Sequence, residues 1–177
     1  MNVFWFRRDL RLDDNVGLFH ALKSGLPVLT IFIFDPEILK ELPKDDARVT
    51  FIHNTLQDLN AKLKTLHQSG IALFHGTPKT VFEQLTNQFE IESVYTNHDY
   101  EPYAIKRDSQ IKTYLESKSV LFKTFKDHVV FERNEIVKSD GTPYKVYTPY
   151  SKKWLEKFNT EGLHSYPSED NLDKLIT

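Results

Sequence analysis

The chain has 177 residues, of which 40% are hydrophobic, 27% charged and 13% aromatic, and its net charge is −2. That is enough apolar material for one domain of ordinary size and excludes global disorder, while the near-neutral balance gives the chain as a whole no electrostatic footprint for nucleic acid. There is no cysteine, which excludes disulfides, thiolate nucleophiles and cysteine-bound zinc or iron–sulfur sites.

Residues 3–6 are a short apolar run that reads as a first buried strand. The run ends abruptly in Arg7-Arg8-Asp9-Leu10-Arg11-Leu12-Asp13-Asp14-Asn15, whose last three residues cap an amphipathic helix that Gly25 ends. Residues 27–34 (PVLTIFIF) form a continuous apolar run, rich in β-branched and aromatic side chains, as suits a parallel strand covered on both faces. Ile52, Leu56, Leu59, Leu63 and Leu66 recur at alternating spacings of four and three, one apolar stripe on a long helix with Gly70 placed to end it. Residues 71–75, 91–97 and 120–125 supply the third, fourth and fifth strands. Thr77-Pro78 and Glu101-Pro102 each open a helix with a cap followed by proline, and Ile111, Tyr114 and Leu115 give the second of these a buried face.

Strand–helix alternation with short links implies right-handed crossovers. The expected fold is a three-layer, Rossmann-like open α/β sheet of five mainly parallel strands with helices on both faces. In such a sheet the loops at the carboxyl ends of the strands build the binding site, so the charged loop after the first strand lies where ligands go. Residues 1–130 make this domain. The pattern changes after about Asp127, and 131–177 reads as a small hairpin or irregular piece and a short-helix extension leading into a linker. Asp140-Gly141 signals a turn between two strand-like pieces, Pro149 opens a short amphipathic helix through Phe158, and 162–177 is polar with no clear core face.

Several motifs are absent. No two of the six glycines have the G-x-G spacing, so neither the dinucleotide fingerprint nor a Walker A loop is present. The seven histidines are scattered, none pairs at helical i, i+4 spacing, and no metal site is expected. There is no G-x-S-x-G elbow, and no residue is assigned as catalytic. No apolar run reaches the roughly 20 residues of a membrane span, and no signal peptide opens the chain, so a soluble cytoplasmic protein is expected.

Three segments resemble the N-terminal α/β domain of the DNA photolyase and cryptochrome family. They are WFRRDLRLDDN at 5–15, close to the family's opening W-F-R-x-D-L-R-L-x-D-N, then NHDYEPYAIKRD at 97–108, and DGTPYKVYTPYSKKW at 140–154. The third is similar to the family's segment before the crossover to its second domain. Order and spacing agree, and the resemblance covers nearly the whole chain. It implies a larger helical domain of the same protein that binds FAD, carries a tryptophan chain and contacts the pyrimidine dimer in DNA. That domain is expected to lie outside this chain, whose two tryptophans, Trp5 and Trp154, both fall in first-domain motifs. The resemblance thus implies part of a deoxyribodipyrimidine photolyase, a carbon–carbon lyase. The fragment alone is not expected to catalyse, and damaged DNA is reached only through the helical domain. The alternatives are a cryptochrome photoreceptor domain and a stand-alone nucleotide-binding α/β protein, which the missing glycine-rich loop disfavours.

What remains is the place where the family binds its second, light-harvesting chromophore: methenyltetrahydrofolate, a deazaflavin or FMN, depending on the member. Carried over residue by residue, the resemblance implies Arg8 and Asp9 after the first strand, and Phe34, Asp35 and Pro36 after the second. It adds Arg48 and Phe51 at the start of the long helix, and Asn97, Asp99, Glu101 and Tyr103 after the fourth strand. A flat heteroaromatic ring takes apolar walls and a few polar groups at its edge. Phe34, Phe51 and Tyr103 suit the walls, Asp99 and Glu101 accept hydrogen bonds, and Arg8 or Arg48 meets a carbonyl or phosphate. Read as ordinary residues, Phe34 and Phe51 are core, and Asp99 and Glu101 are helix-capping acids. Folate-type members carry an Asn-Glu pair two residues after the Tyr-Glu of this segment, where this chain has Tyr103 and Ala104. A deazaflavin or FMN is therefore expected ahead of methenyltetrahydrofolate. Without the helical domain, Tyr144, Tyr147, Tyr150 and Trp154 are expected to be partly exposed, which invites self-association.

Overall fold

A computed structural model describes all 177 residues. Strands β1 (Asn2–Phe6), β2 (Val28–Phe34), β3 (Ile71–His75), β4 (Ser93–Asn97) and β5 (Leu121–Phe125) form one sheet in the order β3-β2-β1-β4-β5. Every pairing is parallel. Helices α1 (Val16–Leu22), α2 (Pro36–Leu39), α3 (Ala47–His67), α4 (Pro78–Gln88) and α5 (Pro102–Ser117) lie between them. The expected five-stranded α/β architecture is present.

The strand pleat sends alternate side chains to opposite faces. Phe4, Phe6, Phe32 and Tyr95 meet Leu18, Leu22, Leu56 and Leu63 of α1 and α3. Val3, Trp5, Ile31, Ile33 and Val94 meet Val81, Phe82, Ile111 and Leu115 of α4 and α5. Both faces are covered, which is why β1 and β2 read as unbroken apolar runs. Asn15, Asp35, Asp46 and Thr77 cap α1, α2, α3 and α4 with their side chains. The end of α3 differs from expectation. Gln68, not Gly70, takes the left-handed conformation after the helix, with φ 53°, and its N–H closes on Leu63 O.

Beyond β5 the structure corrects two expectations. Asp140-Gly141 does turn, with the Gly141 N–H donating to Lys138 O, but no strand flanks it and no hairpin forms. The segment before the turn is tied to the domain by side chains instead, with Ile136 buried and Glu132 and Glu135 bonded to Tyr100 and Lys126. The short helix does form, as α6 (Tyr147–Glu161), longer at both ends than its sequence pattern suggests.

The second correction concerns 162–177, which is not an open linker. A 3₁₀ helix (Ser168–Lys174) packs on α1, and Leu172 and Leu175 are buried in the same core as Phe4 and Leu18. The Ile176 N–H then donates to Val28 O, extending the sheet beside β2. Two isolated leucines among acids carry no readable period, so the sequence pattern hides this return.

The face of α6 is bare. Val146, Tyr147, Tyr150 and Leu155 are exposed, while Trp154 is half-buried against Phe131 and Phe158. No helix is long and apolar enough to cross a membrane.

Candidate functional site

The chain leaves β1 toward β2 and β3, then resumes beside β1 at β4. The carboxyl ends of β1 and β4 are therefore the switch point where open α/β sheets bind ligands.

A buried polar knot lies under this surface. Asp9 Oδ1 accepts the Arg7 N–H at 2.7 Å, and its Oδ2 accepts from Asn97 Nδ2 at 2.6 Å. Asn97 also donates to Asn15 Oδ1 at 2.9 Å and accepts the Gly17 N–H at 2.8 Å. Asn15 in turn caps α1 by accepting the Leu18 N–H at 3.1 Å. The first turn of α1 comes this close because residue 17 is glycine. A Cβ there would lie 2.7 Å from Asn97 Oδ1 and 2.9 Å from the Phe4 ring.

A second set of side chains faces outward. The Arg8 side chain is 61% exposed, its Nε 3.7 Å from Asp99 Oδ2 and its Nη2 3.4 Å from Glu101 Oε1. Tyr103, in the first turn of α5, reaches to the end of β2 and donates its hydroxyl to Asp35. Burial first, and that hydrogen bond second, push the Tyr103 phenol above its ordinary pKa. The guanidinium groups of Arg7 and Arg107 lie 5.2 and 4.8 Å from the centre of the Trp5 ring. Arg7 also holds both oxygens of Asp108, at 2.8 and 2.7 Å. Burial, and then the charge of Arg7, lower the pKa of the buried Arg107. Arg107 Nη2 lies 3.0 Å from Asp108 Oδ1 but is not aligned to donate to it, so this buried donor is unpaired.

Of the residues singled out from sequence, Arg8, Asp99 and Glu101 are joined by ion pairs and Tyr103 and Asp35 form a separate pair; Arg8, Glu101 and Tyr103 are exposed, whereas Asp35 and the Asp99 side chain are buried. Asp9 and Asn97 lie beneath them and serve as scaffold. Phe34 packs on the α1–α3 core, its ring 4.9 Å from that of Phe32. Arg48 turns back to Asp46 at 2.6 Å, and hydrogen bonds from the Arg48 side chain and then its backbone hold that carboxyl at about 2. Phe51, in the second turn of α3, is 70% exposed and is not a core residue. Neither Arg48 nor Phe51 is bonded to the cluster around Arg8. Sequence reasoning missed Arg7, Arg107 and Asp108 and took Asn15 only as a helix cap, although all four lie inside the segments at 5–15 and 97–108.

The family model described as DNA photolyase matches residues 2–169. This chain belongs to the DNA photolyase family. The deoxyribodipyrimidine photo-lyase of Synechococcus sp. PCC 6301 is 35% identical over 152 residues, 86% of this chain and 31% of that one. Among solved structures, an archaeal photolyase from Sulfolobus tokodaii superposes with a TM-score of 0.70 at 28% identity, over 86% of this chain and 34% of its own. That structure is described as holding two FAD molecules and as implying a novel light-harvesting cofactor. A Synechocystis cryptochrome superposes with a TM-score of 0.81 over 95% of this chain and 36% of its own, and at 21% identity it shows the fold alone. The chain spans about a third of the length of these relatives. The region matched by the photolyase model takes in the buried knot, the outward cluster, α6 and Ser168 of the returning tail.

Proposed function

We propose that this chain is the N-terminal, light-harvesting domain of a deoxyribodipyrimidine photolyase, with its antenna chromophore held over the carboxyl ends of β1, β2 and β4. The observation that carries the reading is the 35% identity to the Synechococcus enzyme across 86% of this chain. FAD, the splitting of the pyrimidine dimer and contact with damaged DNA belong, in this reading, to a helical domain of the same protein. Light-dependent dimer repair by the product of the whole gene tests that part, and a product without such activity favours the cryptochrome alternative.

For the chromophore, the residues favour a flavin or deazaflavin over methenyltetrahydrofolate. Ala104, one of the two positions where folate-type members present polar side chains, is buried at 2% exposure and offers no ligand group. Tyr103, the other, has its hydroxyl committed to Asp35. A flat ring fits better. Tyr103, Ile38 and Phe51 are exposed apolar groups near the strand ends, and Arg8, Asp99 and Glu101 provide a polar edge. The unpaired Arg107 donor is the kind of group that a ring carbonyl satisfies. A chromophore bound there supplies light absorption and passes the excitation to the FAD domain. This chain's own residues bind it, orient it and keep water from its edge.

Titration of the purified chain with riboflavin, FMN, a 5-deazaflavin and methenyltetrahydrofolate is expected to give at least about tenfold tighter binding for one of the first three. Glu101→Ala is expected to weaken that ligand about tenfold or more, through loss of a charged hydrogen-bond partner. Tighter folate binding overturns the choice of chromophore.

We also propose that the bare face of α6 associates with a second copy when the helical domain is absent. Sedimentation of the chain at high concentration is expected to show dimers, and Tyr147→Ser with Leu155→Ser to return the monomer. A strictly monomeric wild-type chain sinks the idea.

A further inference from the structure

The stretch from Asn97 to Glu101 carries two sets of contacts that alternate along the chain. Asn97, Asp99 and Glu101 face the candidate site, bonded to Asp9 or paired with Arg8. His98 and Tyr100 face the other way, and both end on one carboxylate. His98 Nδ1 meets Glu132 Oε1, and the Tyr100 hydroxyl donates to the same oxygen at 2.7 Å. The remaining ring nitrogen of His98, Nε2, lies 3.0 Å from Thr124 Oγ1. Extended backbone puts successive side chains on opposite sides. Glu132, distant in sequence, thus braces the back of the stretch whose front carries Asp99 and Glu101.

The brace matters because the sheet stops short of these acids. The His98 N–H donates to Phe125 O at 2.7 Å, but neither Asp99 nor Tyr100 makes a backbone–backbone hydrogen bond. Glu101 is anchored by its carbonyl, which accepts the Ile105 N–H of α5 at 3.0 Å, but Asp99 and Tyr100 rest on side-chain contacts, with Arg8, Arg107 at 4.0 Å and the Glu101 N–H at 3.3 Å meeting the Asp99 carboxylate in front and Glu132 holding Tyr100 behind. Glu132 is itself held. Its N–H donates to Glu135 Oε2 at 2.5 Å, Glu135 takes Lys126 Nζ at 2.9 Å, and Lys157 of α6 lies 3.8 Å from Glu135. Burial alone would raise the Glu132 carboxyl, but hydrogen bonds from His98 and Tyr100 outweigh it and hold the group below its ordinary value.

We infer that Glu132 is a positioning residue for the chromophore site, acting through His98 and Tyr100 on Asp99 and Glu101. The inference rests on the antenna reading above. It makes the segment before α6 part of the site's machinery, so ligand binding and the seating of that segment favour each other reciprocally.

The test pairs a ligand-free measurement with a ligand titration in the full chain, using Glu132→Ala and Glu132→Gln, the latter keeping an acceptor oxygen. In Glu132→Ala, the ¹⁵N order parameters of residues 99–101 are expected to fall from about 0.85 to below about 0.6, with Val3 to Trp5 of β1 unchanged. Affinity for the flavin or deazaflavin that the wild type binds is expected to fall about tenfold, with Glu132→Gln recovering most of both effects. Unchanged order parameters in Glu132→Ala overturn the inference. So does unchanged affinity in a chain whose wild type binds ligand, and in that case the antenna reading stands. A wild type that binds none of the chromophores overturns the antenna reading, and the positioning role falls with it.

Discussion

Replacing Leu172 and Leu175 together by alanine is expected to lower the melting temperature by about 10–20 °C, and deleting residues 165–177 by at least as much. Each leucine is almost fully buried, at 3% and 5% exposure, in the core shared by β1, β2, α1 and α3. Truncating a buried leucine costs about 2–5 kcal/mol, transfer and cavity terms together. The two side chains sit on one short segment and their effects overlap, so about 5 kcal/mol for the pair is a fair sum. That is a large share of the roughly 5–15 kcal/mol that holds an ordinary domain together. The deletion also removes the tail's polar contacts with the loop after β1. Ser168 Oγ accepts the Asn15 N–H at 3.0 Å and donates to Leu12 O, and Asp14 Oδ1 accepts the Tyr166 N–H at 2.7 Å. Loss of the tail is therefore expected to loosen the loop that presents Arg8 and Asp9 as well as the core. Thermal unfolding followed by circular dichroism measures the first effect, with the exposed Lys174→Ala as a near-neutral control. A double leucine variant that melts within about 3 °C of the wild type would mean that the tail only lies on the domain.

The fold was legible where local pattern and tertiary burial say the same thing. β1 and β2 are covered on both faces and so are apolar throughout, and the stripe from Ile52 to Leu63 faces the sheet along α3. The caps at Asn15 and Thr77 are short-range chemistry that a sequence displays directly. The returning tail was not legible, because Leu172 and Leu175 are recruited one at a time into a 3₁₀ turn that leaves no period. Half of the site was legible for the same kind of reason. The resemblance pointed to Arg8, Asp99 and Glu101, which ion pairs join, and to Tyr103, which bonds Asp35 beside them. It could not separate Asp9 and Asn97, which are internal scaffold, from groups free to meet a ligand. Nor could it show Arg48 folded onto its own helix cap. Those distinctions depend on pairings between side chains about 90 residues apart, such as Asp9 with Asn97, and on which way each chain points once paired.

Asn97→Ala is expected to destabilise the domain by about 3–5 kcal/mol, a larger loss than any other single polar change at the switch point. Asn97 is 1% exposed, and its amide is shared by three partners, Asp9 and Asn15 of the loop after β1 and Gly17 of α1. Alanine leaves the Gly17 N–H without an acceptor. It also leaves the buried Asp9 carboxylate with only the Arg7 N–H at 2.7 Å and a long contact from Asn15 at 3.4 Å. Water cannot readily refill the space, because the first turn of α1 packs onto Asn97 with only the hydrogen of Gly17 between them. Asn97→Asp separates charge from shape. It keeps the size of the side chain but sets a second carboxylate against Asp9 with no donor between them, so repulsion and burial raise the pKa of the introduced acid. A group whose folded pKa lies above its unfolded value is most destabilising when ionised, and the penalty is relieved as pH falls through the folded pKa. Urea unfolding at pH 8 and pH 5 should therefore show the gap between Asn97→Asp and wild type closing at the lower pH, and closing more than the gap for Asn97→Ala, which adds no second acid. If both variants lose equal stability at both pH values, Asn97 only fills space, and the buried knot is not what holds β4, α1 and the loop after β1 in register beneath the site.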